Sequence, residues 1–288
     1  MFEKLLTEEI RTKCRETLDS LEFWLRGVTD KILSENYGSD YFFYKNSNGD
    51  FLINSSVRKN VQKKIDNDTK RYSKPINATT FEELIGMVCN PTLYQKHFKN
   101  IFSPFFPEGV AELRLFLSRL IEPRNYLAHS HPISIRQAEQ VICYSHDIID
   151  SIKNFYKTES MQEEYNVPKI LRIKDSFGNV IEREMFGILD SFDFRKDAKN
   201  NLQIGDVLSL EVEVDPSFNE EEYSIEWRIL TSGFTVLKGR KVEIKIEKKY
   251  VSQLFMVDCT VTSNKDWHAN AYYDDKMSVW YKVLPPVK

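Results

Sequence analysis

Hydrophobic residues in the first 157 positions recur every three or four residues, a spacing that predicts amphipathic helices. The clearest stripe runs for about nine turns from Phe2 to Ile32, with charged residues between its members. Shorter stripes of the same period follow at 57–73, 81–89, 110–122 and 135–157. Two of these stripes begin with capping boxes, Thr80 with Glu83 and Ser134 with Gln137. The pattern predicts an all-α helical bundle over residues 1–157.

One segment of this region breaks the helical period. Residues 41–54 carry aromatic and β-branched side chains on both sides of Asn48-Gly49, a dipeptide that tolerates the positive φ of a tight turn. The pattern predicts a small β-hairpin inserted between helices.

The second half of the chain alternates hydrophobic and polar residues with a period of two, which predicts β-strands. An aperiodic acidic stretch at 158–167 precedes it and is the expected linker. Strands are expected at 208–214, 223–230, 241–247, 254–261 and 277–284. Short strands with no helices between them favour an antiparallel β-sandwich over 168–288, and Trp227 and Cys259 fit an immunoglobulin-like core. The expected fold class is therefore α+β, in two domains.

Composition and charge narrow the class of protein. The chain has 288 residues, 41% hydrophobic and 29% charged, and no apolar run of the roughly 18 residues that a membrane span needs. Its amino terminus does not resemble a signal peptide, so we expect a cytoplasmic protein without membrane contact. Four cysteines without a CxxC pair predict neither disulfides nor a metal site, and no cofactor is expected. Residues 1–160 carry a net charge of +1 and residues 161–288 carry −4, so a polyanion is expected to prefer the first part.

The string RNYLAH, residues 124–129, is the strongest candidate for chemistry. Arg124 is a permanent cation that can bind a phosphate, and His129 can transfer protons near neutral pH. Asn125 and His129 share a helix face, so Asn125 can orient the imidazole, whereas Arg124 lies about 140° away. Two copies across a two-fold axis would enclose a substrate. Pro123 is expected to kink this helix or restart it.

Context matters, because an arginine four to six residues before a histidine is expected roughly 0.7 times by chance here. The segment 108–157 resembles the HEPN superfamily in its RNxxxH form, with the motif followed by a polar, proline-containing turn and a long final helix. The resemblance implies a homodimer whose two motifs form one composite site of a metal-independent endoribonuclease in a defence, toxin or RNA-surveillance system. It further implies that His129 is the acid/base, Arg124 the phosphate clamp and Asn125 a polar support for attack by the ribose 2′-hydroxyl. Ordinary caps and ion pairs, or a non-catalytic HEPN binding or adaptor protein, are the alternatives.

A basic stretch at 58–74 holds seven lysines and arginines against two aspartates. Its cations can neutralise an RNA backbone without reading sequence, although a solvated helix face is an equal alternative. The expected RNA contacts are Lys63, Lys64, Lys70, Arg71 and, beside the motif, His131.

The predicted β domain contains one further cluster. Trp267, His268, Asp274 and Asp275 fall near one predicted loop region, where they can bind a metal, catalyse, or simply shape turns. Loops at the end of a sandwich commonly bind ligands, so an unknown ligand or protein partner is expected for this domain, and an enzyme built around His268 and Asp274 is a third class of function.

Overall fold

A helical part followed by a β part makes up the chain, which confirms the α+β layout predicted from the sequence. The computed structural model describes residues 7–68, 71–72, 74–158, 166–183, 190–231, 233 and 235–286. It divides into two compact units, Met1–Gln162 and Glu163–Lys288. Residues 159–165 of the predicted linker at 158–167 lie outside the described residues.

The first unit is helical. Its helices are α1 (Thr7–Tyr37), α2 (Ser55–Asn67), α3 (Phe81–Val88), α4 (Pro91–Leu93), α5 (Lys99–Phe102), α6 (Val110–Ala128) and α7 (Ile135–Thr158). A π-helical turn, Tyr94–Phe98, joins α4 to α5. From Cys14 to Ile32 the stripe predicted for the first helix is buried, with Cys14, Leu21 and Leu25 fully covered, whereas its first members, Phe2 and Leu6, lie outside the described residues. No described helix is both long enough and apolar enough to cross a membrane.

Both predicted capping boxes are confirmed. Thr80 and Glu83 exchange side-chain and backbone hydrogen bonds at the start of α3. The N–H of Gln137 donates to Ser134 Oγ at 3.2 Å, and the N–H of Ser134 donates to Gln137 Oε1 at 2.9 Å. These bonds satisfy N–H groups that a helix start leaves unpaired, which is why the sequence signal located both helices well.

The hairpin predicted at 41–54 does not form strands. Residues Tyr41–Phe43 make a 3-10 turn, and the only β pairing within 41–54 is a single bridge between Lys45 and Phe51. Tyr41 and Phe42 are both buried, which an alternating strand cannot achieve for consecutive residues. The turn itself is as expected, because Gly49 has φ +85° and the Asn46 side chain accepts from the N–H groups that follow it.

Of the two outcomes expected at Pro123, a restart of the helix is wrong, and a kink stays a prediction. Helix α6 runs without interruption from Val110 to Ala128, with a buried Pro123 inside it. The proline cannot donate to the preceding turn, but its ring is buried among packed helices. Arg124 and Asn125 consequently lie near the carboxyl end of one long helix.

The second unit contains two sheets. Its strands are β1 (Ile170–Asp175), β2 (Val180–Glu182), β3 (Ser191–Asp193), β4 (Val207–Val214), β5 (Tyr223–Ile229), β6 (Thr235–Lys238), β7 (Lys241–Lys245), β8 (Ser252–Ser263) and β9 (Asp275–Val283). One sheet has the order β2-β1-β4-β7 and the other β3-β9-β8-β5-β6. All neighbours are antiparallel except β3 and β9, which are parallel.

Buried side chains from both sheets form one hydrophobic core. Trp227 on β5 and Cys259 on β8 are direct cross-strand partners, and neither is exposed. The indole N–H of Trp227 donates to the carbonyl of Gly239 at 2.9 Å, so the largest core side chain is also satisfied. The five predicted strands are confirmed as β4, β5, β7, β8 and β9, with ends shifted by a few residues.

Candidate functional site

The RNYLAH segment ends helix α6 in a tight turn that presents two histidines. The N–H of His131 donates to Tyr126 O at 2.8 Å, and the N–H of Ser130 donates to Leu127 O at 3.2 Å. Ser130 has φ +60°, the left-handed conformation that a helix end of this type requires. The chain therefore reverses directly after the motif, and His129 and His131 stand on either side of the reversal.

The two imidazoles lie side by side on the surface. Both histidines are exposed, and their ring centroids are 6.5 Å apart. The ring of Tyr126 meets that of His131 edge to face, with centroids 6.1 Å apart. The Tyr126 hydroxyl donates to Glu122 Oε1 at 3.0 Å, and this hydrogen bond raises the pKa of the phenol. Two proton-transfer groups thus share one exposed patch beside the helix end.

Arg124 is held by an acidic side chain of helix α1. Its Nε donates to Glu22 Oε1 at 3.0 Å, while the other oxygen of Glu22 accepts from Arg26 at 2.6 Å. The Glu22 side chain is only 8% exposed, whereas that of Arg124 is 32% exposed. Two arginines thus share one buried carboxylate, so one carboxylate charge faces two guanidinium charges and Arg124 keeps an exposed edge.

Asn125 does not orient the imidazole of His129, as the shared helix face had suggested. Its amide nitrogen donates to Glu82 Oε1 at 3.1 Å, and its amide oxygen accepts from Arg124 Nη1 at 3.4 Å. The link from Asn125 to His129 runs through the backbone, where the His129 N–H donates to Asn125 O at 3.1 Å. Asn125 therefore supports Arg124 and joins α6 to α3.

Glu82 completes this polar group. Burial by itself raises the pKa of the Glu82 carboxyl, but the hydrogen bonds from its own backbone and from Asn125, with the charge of Arg124, lower that pKa overall. The carboxylate is thus ionised at neutral pH and compensates part of the positive charge at Arg124. Glu22 and Glu82 have no local sequence signal that pairs them with Arg124, because 102 and 42 positions separate them from it.

The residues of the basic stretch that are expected to contact RNA differ in their exposure and in their contacts. Lys63 is exposed on α2, and Arg71 is exposed with its guanidinium 5.5 Å from the ring of Tyr72. Lys64 is half-buried, and its ammonium donates to Ala78 O at 2.9 Å, which ties it to the fold. Lys70 lies outside the described residues.

The loop cluster of the second unit is built from structural contacts. His268 Nδ1 lies 3.4 Å from Asp274 Oδ2, but Asp274 also accepts from the N–H of Ser263 at 2.6 Å and from the N–H of Ala269 at 3.1 Å. These backbone bonds fix the loop before β9. Burial alone would raise the pKa of Asp274, yet the bonds from Ser263 and Ala269 and the nearby His268 lower it.

Asp275 belongs to a different contact. It is buried, and its Oδ2 accepts from the N–H of Ile170 at 2.7 Å and from Arg183 Nη1 at 2.8 Å. The two aspartates therefore do not converge with His268, and within the described ranges no group of three potential ligands is placed to hold a metal ion.

Comparison with protein-family models, with curated proteins and with solved structures finds no match to this chain.

Proposed function

We propose that the protein is a metal-independent endoribonuclease of the HEPN type. The observation that carries this proposal is the pair of exposed imidazoles, His129 and His131, 6.5 Å apart in the turn that ends the helix of Arg124. RNA cleavage without a metal needs one group to accept a proton and another to donate one, and histidine suits both tasks near neutral pH. The resemblance of 108–157 to the RNxxxH family adds the expected roles.

The proposed reaction is an internal transfer at phosphorus. One imidazole removes the proton of a ribose 2′-hydroxyl, the 2′-oxygen bonds to the adjacent phosphorus, and the bond from phosphorus to the 5′-oxygen breaks. A second imidazole, as imidazolium, gives its proton to that leaving oxygen. The products are a 2′,3′-cyclic phosphate and a 5′-hydroxyl. The exposed edge of Arg124, positioned by Glu22, would stabilise the charge on the phosphoryl oxygens.

A homodimer through the helical unit would bring two such motifs together. Helix α6 carries exposed residues at Leu115, Arg119, Glu122 and Tyr126, a spacing that places them on one face. Leu115 is 50% exposed and Tyr126 is 38% exposed, so this face offers apolar surface to a partner. This face extends along α6 to the motif. If two chains associated through it about a two-fold axis, their two motifs would lie close enough to form a composite site.

Cleavage of a labelled RNA by the purified full-length protein in EDTA tests the proposal. His129→Ala and Arg124→Ala should each abolish cutting while helical circular dichroism stays unchanged. His268→Ala, a histidine of the second unit, is the matched control and should cut like the parent. A 2′-deoxy substitution at the cut site should block the reaction. Products with 5′-phosphate ends formed only with magnesium would contradict the mechanism, and loss of activity in His268→Ala alone would move the enzyme to the β unit.

A non-catalytic RNA- or partner-binding HEPN protein is the second candidate. The observation that favours it is that two side chains of the motif already have partners within the protein, because Arg124 is paired with Glu22 and Asn125 is hydrogen-bonded to Glu82. Under this alternative the parent protein binds RNA or a partner and leaves RNA intact in EDTA. The cleavage assay therefore separates the two candidates.

For the second unit we propose an immunoglobulin-like fold with a sensing or recruitment role. In one sheet β4 lies beside β7, as strand B lies beside strand E in that fold. The other sheet contains the order β9-β8-β5-β6, which matches the order G–F–C–C′. The pairing of Trp227 with Cys259 across β5 and β8 adds the expected core contact. Removal of this unit, argued in the Discussion, tests the proposed role.

A further inference from the structure

Helix α1, helix α2, the π-helical turn and the segment between α1 and α2 carry an unusual mixture of aromatic and basic side chains. We call this set the aromatic–basic surface, and it consists of Tyr37, Tyr44, Lys45, Phe51, Arg58 and Lys96. Tyr44 is 37% exposed and Phe51 is 39% exposed. None of the six side chains belongs to the RNYLAH motif.

Two groups of contacting side chains make up the aromatic–basic surface. The ammonium of Lys96 lies 5.3 Å from the ring centroid of Tyr37, whose ring is 4.8 Å from that of Tyr44. Lys45 follows Tyr44 in the chain, and its ammonium lies 4.7 Å from the centroid of the Phe51 ring. Lys96, Tyr37 and Tyr44 thus form one group and Lys45, Phe51 and Arg58 the other, and the two groups meet at the adjacent residues Tyr44 and Lys45.

Arg58 ends this row as a stacked cation. Its guanidinium lies 3.4 Å from the centroid of the Phe51 ring, and its Nε donates to Ile53 O at 3.1 Å. The stack covers one flat side of the guanidinium, and Arg58 is half-buried, so part of the side chain stays in contact with solvent. It can stack on a base or donate to a phosphate without first losing side-chain freedom.

Positive charge on this surface lacks acidic partners. Within the described ranges, no ion pair involves Lys45, Arg58 or Lys96, in contrast to Arg26 and Arg124. Residues 41–64, which include Lys45 and Arg58, hold five basic residues and one acidic residue, Asp50. The surface therefore attracts anions.

The π-helical turn contributes a fixed tyrosine. The Tyr37 hydroxyl and His97 Nε2 are 2.8 Å apart, and Lys96 donates to the same hydroxyl at 3.2 Å. Such turns interrupt regular helices mainly where a side chain must be placed specifically. Here the turn brings Lys96 and His97 against Tyr37 and holds the phenol ring in place beside Tyr44.

We propose that the aromatic–basic surface binds single-stranded RNA, with bases stacked on Tyr44 and Arg58 and phosphates paired with Lys45 and Lys96. Unpaired bases expose the flat faces that aromatic side chains stack on, whereas a duplex hides them. A protein partner fits less well, because lysine is depleted in protein interfaces. Stacking and charge specify a single-stranded nucleic acid, and the choice of RNA rests on the proposed function.

Binding is measured by fluorescence anisotropy with a labelled single strand of about a dozen nucleotides, using full-length protein that carries His129→Ala so that RNA is not cut. Tyr44→Ala in this background should raise Kd at least about fivefold, because one stacked base is lost. Tyr44→Phe keeps the ring and should retain affinity. Tyr272→Ala is the matched control, since Tyr272 is 83% exposed in the other unit.

The charge contribution has its own readout. Lys45→Gln combined with Lys96→Gln should lower the slope of log affinity against log salt by about 1.4, because each lost phosphate contact on a single strand releases about 0.7 fewer counterions. The same double change at Lys241 and Lys245, exposed on β7, should leave the slope unchanged.

Three results would overturn the proposal. They are unchanged binding by Tyr44→Ala and by the double variant, equal competition by a duplex of the same sequence, and equal displacement of the RNA by polyglutamate. The cleavage assay on His129-intact protein is independent of these measurements. If the His129-intact protein cuts RNA and the surface variants bind RNA as well as the parent, the proposed surface is wrong but the proposed catalysis stands. If the surface variants bind RNA more weakly and the His129-intact protein does not cut RNA, only the proposed catalysis is wrong.

Discussion

Arg124 donates to Glu22 across 3.0 Å and so joins the motif helix α6 to α1. Because Glu22 is also paired with Arg26, two guanidinium groups depend on one buried carboxylate. Arg26 in turn donates to Thr79 O at 3.3 Å, at the start of α3. The guanidinium of Arg124 is thus part of the packing of three helices. A change at Glu22 is therefore expected to affect both the stability of the helical unit and the position of Arg124.

The first prediction concerns this shared carboxylate. Glu22→Gln should lower the free energy of unfolding by about 1–3 kcal/mol, because it leaves two partly buried arginines without a counter-charge. Urea denaturation measures the loss. Glu8→Gln is the control, since Glu8 pairs with Arg11 on the surface of the same helix and its side chain is 78% exposed. That change should cost less than about 0.5 kcal/mol.

A double-mutant cycle checks the cause. If the pair is real, Arg124→Gln and Glu22→Gln together should cost less than the sum of the single changes. Additive losses would mean that the contact at 3.0 Å contributes nothing to stability.

Local sequence patterns predicted the elements that local chemistry determines. The stripe of α1, the capping box of Thr80 and Glu83 and the alternation of β4 all depend on neighbours within a few positions. Short strands such as β2 and β3, three residues each, are too brief for an alternating pattern and were missed. Their pairing with β1 and β9 stabilises them.

The surroundings of the candidate site were not predictable in the same way. The sequence indicated Arg124 and His129 as residues, but the contacts of Arg124 with Glu22 and of Asn125 with Glu82 arise from helix packing. The spacing of four residues predicts that Asn125 faces His129, but this relation holds only within a helix. His129 is the residue at which α6 ends, so the relation does not apply to its side chain. A spacing rule fails where the element that it assumes stops.

The second prediction uses the four cysteines. Burial raises the pKa of the Cys14 and Cys89 thiols to about 11, and Cys259 is also buried, whereas Cys143 is exposed. Iodoacetamide at pH 8 should therefore label one thiol per native chain and four in urea, as counted by mass spectrometry. Cys143→Ser should abolish native labelling, and rapid labelling of a second thiol in that variant would contradict the burial.

The same burial has a consequence at high pH. The folded state holds the protons of Cys14 and Cys89 up to about pH 11, while the unfolded thiols lose theirs near the ordinary value of 9.0. This contribution to stability is complete below pH 9.0 and is lost as the pH rises towards 11. Cys14→Ala should make the decline between these values shallower.

The third prediction concerns His97. Burial, and then the charge of Lys96, lowers the pKa of this imidazole below its ordinary value of 6.5. The unfolded state therefore binds the proton first as the pH falls, so stability should decrease below pH 6.5. His97→Gln keeps an acceptor for Tyr37 and should lose less stability than the parent between pH 7.5 and 5.5. An unchanged slope in His97→Gln would show that His97 does not titrate in this range.

The fourth prediction tests the dimer required by a composite site. Leu115→Glu places a charge on the exposed face of α6, about 14 Å along the helix from Arg124, so it alters no residue of the motif. The variant should sediment as a monomer and lose at least about tenfold of its RNA cleavage per chain. Val236→Glu, at a 47% exposed hydrophobic residue of β6, is the matched control. Full activity per chain in a monomeric sample would exclude the composite site.

The last prediction is that the two units separate in stability and in role. Each has its own buried core, and the chain divides between Gln162 and Glu163, within the aperiodic acidic segment 158–167. A glutamate-specific protease should cut first in that segment, which contains Glu159, Glu163 and Glu164, because its sequence is that of a polar linker and linkers are cleaved before packed elements.

Expressed alone, residues 168–288 should unfold cooperatively, and unfolding should shift the tryptophan fluorescence to longer wavelength, since Trp227 is fully covered by the core of its own unit. Residues 1–157 should dimerise and still cut RNA, with altered control or target range, if the β unit senses a ligand or recruits a partner. An insoluble helical fragment, together with a full-length chain that resists the protease as one body, would mean that the units stabilise each other. Catalysis and control could then not be assigned to separate halves, because the loss of either half would remove both.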